Sequence, residues 1–260
     1  MSNSQSHPAV RTAVAASVVL VAALGACGSE GGTGPVATPV VDPGDGGNYS
    51  VNIDPAQFTS VVDNPYLPTL PGARWVYEAT NEDGEVERTV VEVLDRTKTV
   101  MGVEAIVVHD VVDVGGEVIE DTYDWFAQDA DGNVWYLGED TTAYENGAAS
   151  KEGSWEAGVD GALPGVVMWG DPAAAPGGYR QEYLAGQAED MAEVIATTGS
   201  ASTPAGDVTD VVVTRDWTPL EPDLIEQKTY ARGVGLVGES TETGGQQVES
   251  VQLVEYTPAR

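Results

Sequence analysis

His109 and His7 are the only histidines in the chain, so a nucleophile–base–acid arrangement in the folded region would have to use His109 as its base. His109 falls inside a β-branched run, on the same face as Val107 and Val111, and no Gly-x-Ser-x-Gly elbow occurs to present a serine. That placement reads as a structural histidine, and we expect no catalytic residue. Zinc is equally poorly served, because there is no second histidine in the folded region and no thiol other than Cys27.

Carboxylates are the abundant functional groups. Asp129-x-Asp131-Gly132-Asn133 has the look of a calcium loop, but an EF-hand needs its glycine at position six. Counting back from Gly132 puts Ala127 where the first ligand should stand. These carboxylates read as turn formers instead. Glu182, Glu189, Asp190 and Glu193 flank a turn at Gly186 and could meet across a hairpin to bind Ca²⁺, the one cofactor the sequence suggests. Two carboxyl groups facing each other across a cleft would also serve glycoside hydrolysis, at a separation of roughly 5–9 Å that spacing along the chain does not define.

The aromatic residues form a second constellation. Trp75 with Tyr77, and Tyr123 with Trp125, stand two residues apart on expected strands, so each pair shares a face. Trp135 and Tyr136 are adjacent, so only one of them joins that face. Tryptophan and tyrosine combine an apolar body with a polar end, which suits a partly wet groove as well as a core. Trp75, Tyr77, Tyr123, Trp125 and Trp135 are therefore candidate ligand contacts. The groove reading requires a curved sheet whose open side is covered by residues 156–178. The alternative is that they form the core.

The only thiol has a different chemistry. Residues 13–24 are small and apolar apart from Ser17, follow Arg11, and end in Leu24-Gly25-Ala26-Cys27. The run is too short to span a bilayer but suits the apolar region of an export signal. The four residues resemble the lipobox of bacterial lipoproteins. That resemblance implies acylation of Cys27, which becomes the first residue of the mature protein. The expected organisation is a signal peptide at 1–26, a flexible tether at 27–50 rich in Gly and Pro, and one domain at 51–260. The protein would then sit on the outer face of the cell membrane through its lipid. In an organism with two membranes it would reach the outer one, since Gly28 rather than aspartate follows the cysteine. A single cysteine allows no internal disulfide, and acylation leaves no free thiol.

The elements that would position these groups are strands. Asp54-Pro55 opens a short helix to about residue 62, as an N-cap followed by proline. Residues 64–72 hold three prolines and a glycine and form an extended lead-in. Period-2 runs then follow at 73–78, 86–94, 103–114, 118–127 and 133–137, separated by the turns Asn81-Glu82-Asp83-Gly84, Gly115-Gly116 and Asp129-Ala130-Asp131-Gly132. In the 118–127 run Ile119, Tyr123 and Trp125 share one face, with Glu120, Thr122 and Asp124 on the other. The middle is less regular, with a weak hairpin about Asn146-Gly147 and then a loop over 156–178. Strands resume at 179–184, 189–197, 208–217, 224–231, 234–240 and 247–256. The pattern predicts an all-β domain, a single curved antiparallel sheet or half-barrel meander.

Composition limits the partners. The chain carries 11 Lys/Arg against 42 Asp/Glu, a net charge of −31, with no long run of like charge. Loss of residues 1–26 removes Arg11 and no acid, which takes the balance to 10 against 42 and the charge to −32. Such a chain repels nucleic-acid phosphates and anionic headgroups, so nucleic acid is excluded as a partner. Cations, a basic protein or an apolar ligand remain.

Several segments together resemble an uncharacterised family of secreted bacterial proteins and lipoproteins. They are NPYLPTLPGARWVYE (64–78), DTYDWFAQDADGNVWYLGED (121–140), GSWEAGVDGALPGVVM (153–168), YRQEYLAGQAEDMAEV (179–194) and YARGVGLVGE (230–239). The Pro71-Gly72-x-x-Trp75-x-Tyr77 opening and the late Gly233-Val234-Gly235-Leu236-Val237 strand carry it most clearly. The resemblance implies a curved antiparallel sheet and assigns no catalytic residue. The sequence as a whole reads as a membrane-anchored extracytoplasmic lipoprotein, a binding or envelope-associated module without catalytic activity. The alternatives are a carrier of apolar ligands in a half-barrel groove and a carboxylate-based hydrolase.

Overall fold

The structure, a computed structural model, describes residues 49–80, 84–145 and 147–260. The expected signal peptide 1–26, Cys27, most of the expected tether, the expected turn residues 81–83 and Asn146 lie outside these. Asp54 caps the first turn as its position requires, its Oδ1 accepting from Ala56 N at 3.1 Å. The turn is a 3₁₀ helix, η1 (Pro55–Gln57), and not a helix running to 62. Phe58 goes extended at its end and pairs with Asp129, so a strand bond takes the place of the next helical one.

The strands come in chain order as follows. The first group is β1 (Phe58–Thr59), β2 (Arg74–Thr80), β3 (Val86–Val100), β4 (Val103–Val114), β5 (Glu117–Asp129) and β6 (Val134–Glu145). The middle holds β7 (Ala148–Ser150), β8 (Trp155–Glu156), β9 (Leu163–Met168), β10 (Tyr179–Arg180) and β11 (Glu182–Tyr183), with a 3₁₀ turn at Pro172–Ala174. The last group is β12 (Met191–Ala196), β13 (Ser200–Thr203), β14 (Gly206–Thr209), β15 (Val211–Trp217), β16 (Leu224–Ala231), β17 (Gly235–Thr243) and β18 (Gln246–Thr257). β13 and β14 pair only with each other; the rest form one antiparallel sheet in the order β10-β12-β15-β16-β17-β18-β2-β3-β4-β5-β6-β9-β11. The all-β, curved antiparallel architecture is thus as the alternating pattern requires.

One short run nearly closes the sheet into a roll. Tyr179 and Arg180 pair with Ala192 and Met191 at one edge, while Glu182 and Tyr183 pair with Pro164 and Leu163 at the other. Gln181 lies between them, its N–H donating to Asp190 O at 2.8 Å. Gly165 makes this seam geometrically feasible: a Cβ there would lie 2.3 Å from Arg180 O. The region 156–178 therefore does not cover the sheet as a loop. Its strand β9 continues the sheet from β6, an element hidden in the sequence by Pro164 and Gly165.

Two other boundaries also differ. The 86–94 strand runs on to Val100 and turns at Met101-Gly102, both at positive φ. The expected 208–217 strand breaks at Asp210 (φ 60°), which separates the small β13–β14 hairpin from β15.

The roll has two unlike ends. At one end the lead-in plugs the interior. Asn64 donates through Nδ2 to Gly132 O and Trp169 O and accepts through Oδ1 from the Tyr66 and Leu67 amides. Tyr66 donates to Asp210 at 2.9 Å and accepts from Arg232 at 2.8 Å. The apolar core fills this half, with Val62, Leu67, Trp75, Val91, Ile106, Phe126, Val134, Leu236 and Leu253 all buried. The other end is a rim formed by the strand ends of the hairpins β2–β3, β4–β5, β6–β7, β15–β16 and β17–β18.

Candidate functional site

The rim half of the interior is lined by acids. The register set by the core carries them inward: on β5, Phe126 is fully buried, and the same face continues through Asp124, Thr122 and Glu120. The same alternation brings in Glu87 from β3, Asp110 from β4, Glu139 and Thr141 from β6 and Glu182 from β11. From the far side come Asp216, Glu226, Lys228, Glu239 and Glu249. All of these are at most 8% exposed.

Burial makes their charge expensive, and the acids respond by holding protons. Asp124 is pushed up to about 7 by burial, against the lowering effect of a hydrogen bond from Tyr136 Oη at 2.7 Å. Asp190 is likewise pushed to about 7 by burial, with Lys228 opposing. Glu249 rises to about 8 through burial and the nearby charges of Glu87 and Glu226. Asp110 is raised well above the usual range by burial and then by Asp124 and Glu120, and neither of its oxygens has a hydrogen-bond partner. Burial raises Glu139, Glu182 and Glu239 in the same way.

Lys228 is the cation of this interior, 2% exposed. Its Nζ lies 3.0 Å from Glu226, 3.3 Å from Asp216 and 3.9 Å from Glu239. Burial pulls its pKa down, but the three carboxylates together carry it well above the ordinary lysine value.

The aromatic candidates separate. Trp75, Tyr77 and Trp125 are core residues. Trp75 Nε1 donates to Val234 O at 2.7 Å, and Tyr77 Oη to Leu236 O at 3.0 Å. Trp125 lies on the opposite face of β5 from Asp124, under Lys98, whose Nζ is 3.3 Å from the ring centre and 2.8 Å from Glu156. Tyr123, on that outer face, stacks on His109 at 4.3 Å beneath Arg96, and His109 Nε2 lies 3.1 Å from Asp121. Trp135 Nε1 donates to Asp129 at 2.8 Å. The five do not line one groove.

The acidic candidates also part company. Glu182 is fully buried and Asp190, half-buried, lines a small space with Asp216 and Glu226, whereas Glu189 accepts from Gly186 N at 2.8 Å and lies 3.6 Å from Arg180. Glu193 pairs with Arg215 at 3.0 Å. Among the described residues no three His, Cys, Asp or Glu side chains are grouped to hold a metal ion. Asp129 spends both oxygens within its own turn, on the amides of Asp131 and Asn133 and the side chains of Asn133 and Trp135. Cys27 lies outside the described residues.

Sequence reasoning named Glu182 and Asp190 but missed the other inward acids, such as Asp110, Asp124, Glu139 and Glu239. The period-2 pattern of β5 separated Glu120, Thr122 and Asp124 from Tyr123 and Trp125, and this was the available signal; the usual rule that apolar residues turn inward assigned the wrong side. Two spaces adjoin the sheet. A dimple of about 10 Å³ at the rim is lined by Asp190, Asp216, Trp217, Thr218, Leu224 and Glu226. A groove of about 200 Å³ lies under the β13–β14 hairpin, lined by Ser202, Gln227, Thr229, Ser240 and Ser250 with Glu239 among them. No helix among the described residues is long and apolar enough to cross a membrane.

No protein-family model matches this sequence, and no curated protein matches it. Two solved structures share a similar arrangement at low identity. One is described as an exported protein with a YmcC-like fold from Bacteroides fragilis, 15% identical, with a TM-score of 0.40 over 74% of this chain and 98% of that one. The other is described as a lipoprotein from Parabacteroides distasonis, 14% identical, with a TM-score of 0.43 over 75% of this chain and 99% of that one.

Proposed function

We propose that the chain is an extracytoplasmic lipoprotein, held to the membrane through Cys27, that works as an interaction module of the cell envelope. The observation that carries the second part is how the interior groups are spent. Trp75 and Tyr77 direct their polar ends to backbone carbonyls, Trp125 is covered by Lys98, and the acids are sealed beside a dimple with room for about one water. A hydrolase needs two carboxyl groups open to substrate, and a carrier needs an apolar cavity beside these aromatics. The packing supports neither. What remains for recognition is the outer surface and the rim.

The anchor follows from the Leu24-Gly25-Ala26-Cys27 sequence and the Gly- and Pro-rich spacer behind it. One acyl chain alone binds a membrane weakly, and two or three hold it firmly. Cys27→Ser should leave the precursor without lipid and move it from the membrane to the soluble or unprocessed fraction; unchanged membrane association sinks the anchor. Native mass spectrometry of the wild-type protein should show the polypeptide with its acyl groups and no small-molecule guest. A stoichiometric apolar guest would establish the carrier instead.

A further inference from the structure

The roll is held shut on one side by a short contact. β11 meets β9 through two residue pairs, Glu182 with Pro164 and Tyr183 with Leu163, and Pro164 has no N–H to give. Tyr49 adds a hydrogen bond from its hydroxyl to Pro164 O at 2.8 Å and packs edge-on against Tyr183. The strands of the opposite wall are joined far more extensively, β3 to β4 by eleven pairs and β4 to β5 by nine.

Acids stand on both banks of this seam. Glu182, on β11, is fully buried. Glu139, 2% exposed, lies on β6, the strand that carries β9. Glu139 Oε2 accepts from Thr141 at 2.7 Å, and its Oε1 has no hydrogen-bond partner. Around Glu182 the titratable groups are Asp190 before β12, Tyr136 and Glu139 on β6 and Lys228 on β16. β9 carries none, and Arg180 on the β10 side turns to Glu189 and the Tyr183 ring.

The electrostatics favour closure only while these carboxyls are neutral. Glu182 is raised by burial and then by the charge of Asp190, with the Trp155 indole and Lys228 opposing. Glu139 is raised by burial and then by the charges of Asp124 and Glu182. Elsewhere the same kind of repulsion meets stronger restraint. Asp216, Glu226 and Glu239 share Lys228, and Asp110 and Asp124 sit within the nine-pair ladder of β4 and β5.

We propose that the β9–β11 pairing is a pH-dependent latch, shut while Glu182 and Glu139 carry protons and released by their repulsion when they ionise, so that the roll opens along this seam while the rest of the sheet stays paired. Opening lets water reach both carboxyls, so the open form holds their protons less tightly than the closed one. Closure is therefore favoured at low pH and lost as pH rises through the raised values. Each unit by which closure raises a carboxyl is tenfold in the ratio of closed to open once pH exceeds it.

The test is hydrogen exchange of the full chain in neutral detergent, read by mass spectrometry at pH 6 and pH 9 and corrected for the intrinsic effect of pH on exchange. Protection over residues 163–168 and 179–184 should fall about tenfold or more between the two, while that of 88–93 on β3 changes much less. Glu182→Gln keeps the size and removes the charge, so protection at pH 9 should stay near its pH 6 level. Glu139→Gln removes the charge on the other bank and should also reduce the loss; it carries the test if the first variant does not fold. Equal protection of the wild-type seam at both pH values would overturn the latch, as would an undiminished loss in either folded variant. An equal fall over 88–93 would overturn it too, since the whole sheet would then be opening together.

Discussion

Lys228 Nζ lies 3.0 Å from Glu226 Oε2, two residues apart on the same inner face of β16 and shut away from water. The ammonium offsets only part of the charge around it, since Asp216 and Glu239 also look onto it. Removing one member of a buried ion group costs about 3–5 kcal/mol, because the partners are left uncompensated. Lys228→Met should lower unfolding free energy by about that amount at pH 8, measured by urea denaturation. The loss should shrink at pH 5, where the carboxyls can take up protons. An equal loss at both pH values would mean that they do not share the charge.

The buried acids set the direction of the pH response. Asp124 and Asp190 are raised to about 7 and Glu249 to about 8. Unfolded carboxyls titrate near 4, so between about pH 4 and pH 8 the folded chain holds more protons than the unfolded one. Stability is therefore greatest near the bottom of that window and falls as pH rises through 7 and 8. Calorimetric melting at pH 5 and pH 8 should give the higher midpoint at pH 5. The opposite order would refute the protonated interior. Below pH 4, loss of the Asp210 carboxylate held down by Arg232 and Tyr66 works the other way.

Tyr136→Phe removes the one hydrogen bond that holds Asp124 down. The Asp124 pKa should then move above about 7, and the domain should lose about 1–2 kcal/mol at neutral pH. Carboxyl-carbon NMR titration reads the first and chemical denaturation the second. A downward shift would show that another donor replaces the phenol.

Gly165→Ala places a methyl 2.3 Å from Arg180 O and 2.5 Å from Gln181 C, both backbone atoms that a rotamer change does not move. The 179–183 seam should loosen at a cost of about 1–3 kcal/mol or more. Amide exchange of Gln181, which donates to Asp190 O, should accelerate more than that of Thr122 on β5. Uniform change across the two would place the damage elsewhere.

The strand pairs and turns of 73–137 were readable because period 2 and glycine turns are local. Which face turned inward was not. On β5 the sequence offered an acidic face and an aromatic face, and the side was decided by Phe126 at one end, together with the Lys98, Arg96 and His109 cover on the outside. β9 escaped notice because Pro164 and Gly165 weaken any local strand signal; its partners on β6 and the 179–183 run supply the order instead. The helix from Pro55 was cut short by a pairing with Asp129, which no window around residue 55 contains. Glu182 and Asp190 were flagged as acids near a turn, yet their role comes from residues on β16 that are far along the chain.

The β2–β18 pairing has a consequence for how the molecule is made. Arg74 and Glu255 are joined across it although 181 positions separate them. A chain made from its N-terminus delivers β2 early and its partner late, so β2 waits with one flank bare until β18 is available. The long loop closure makes this contact slow to form. Completion of the roll thus waits on β18, and a chain lacking that strand should leave β2 and β17 without their shared neighbour.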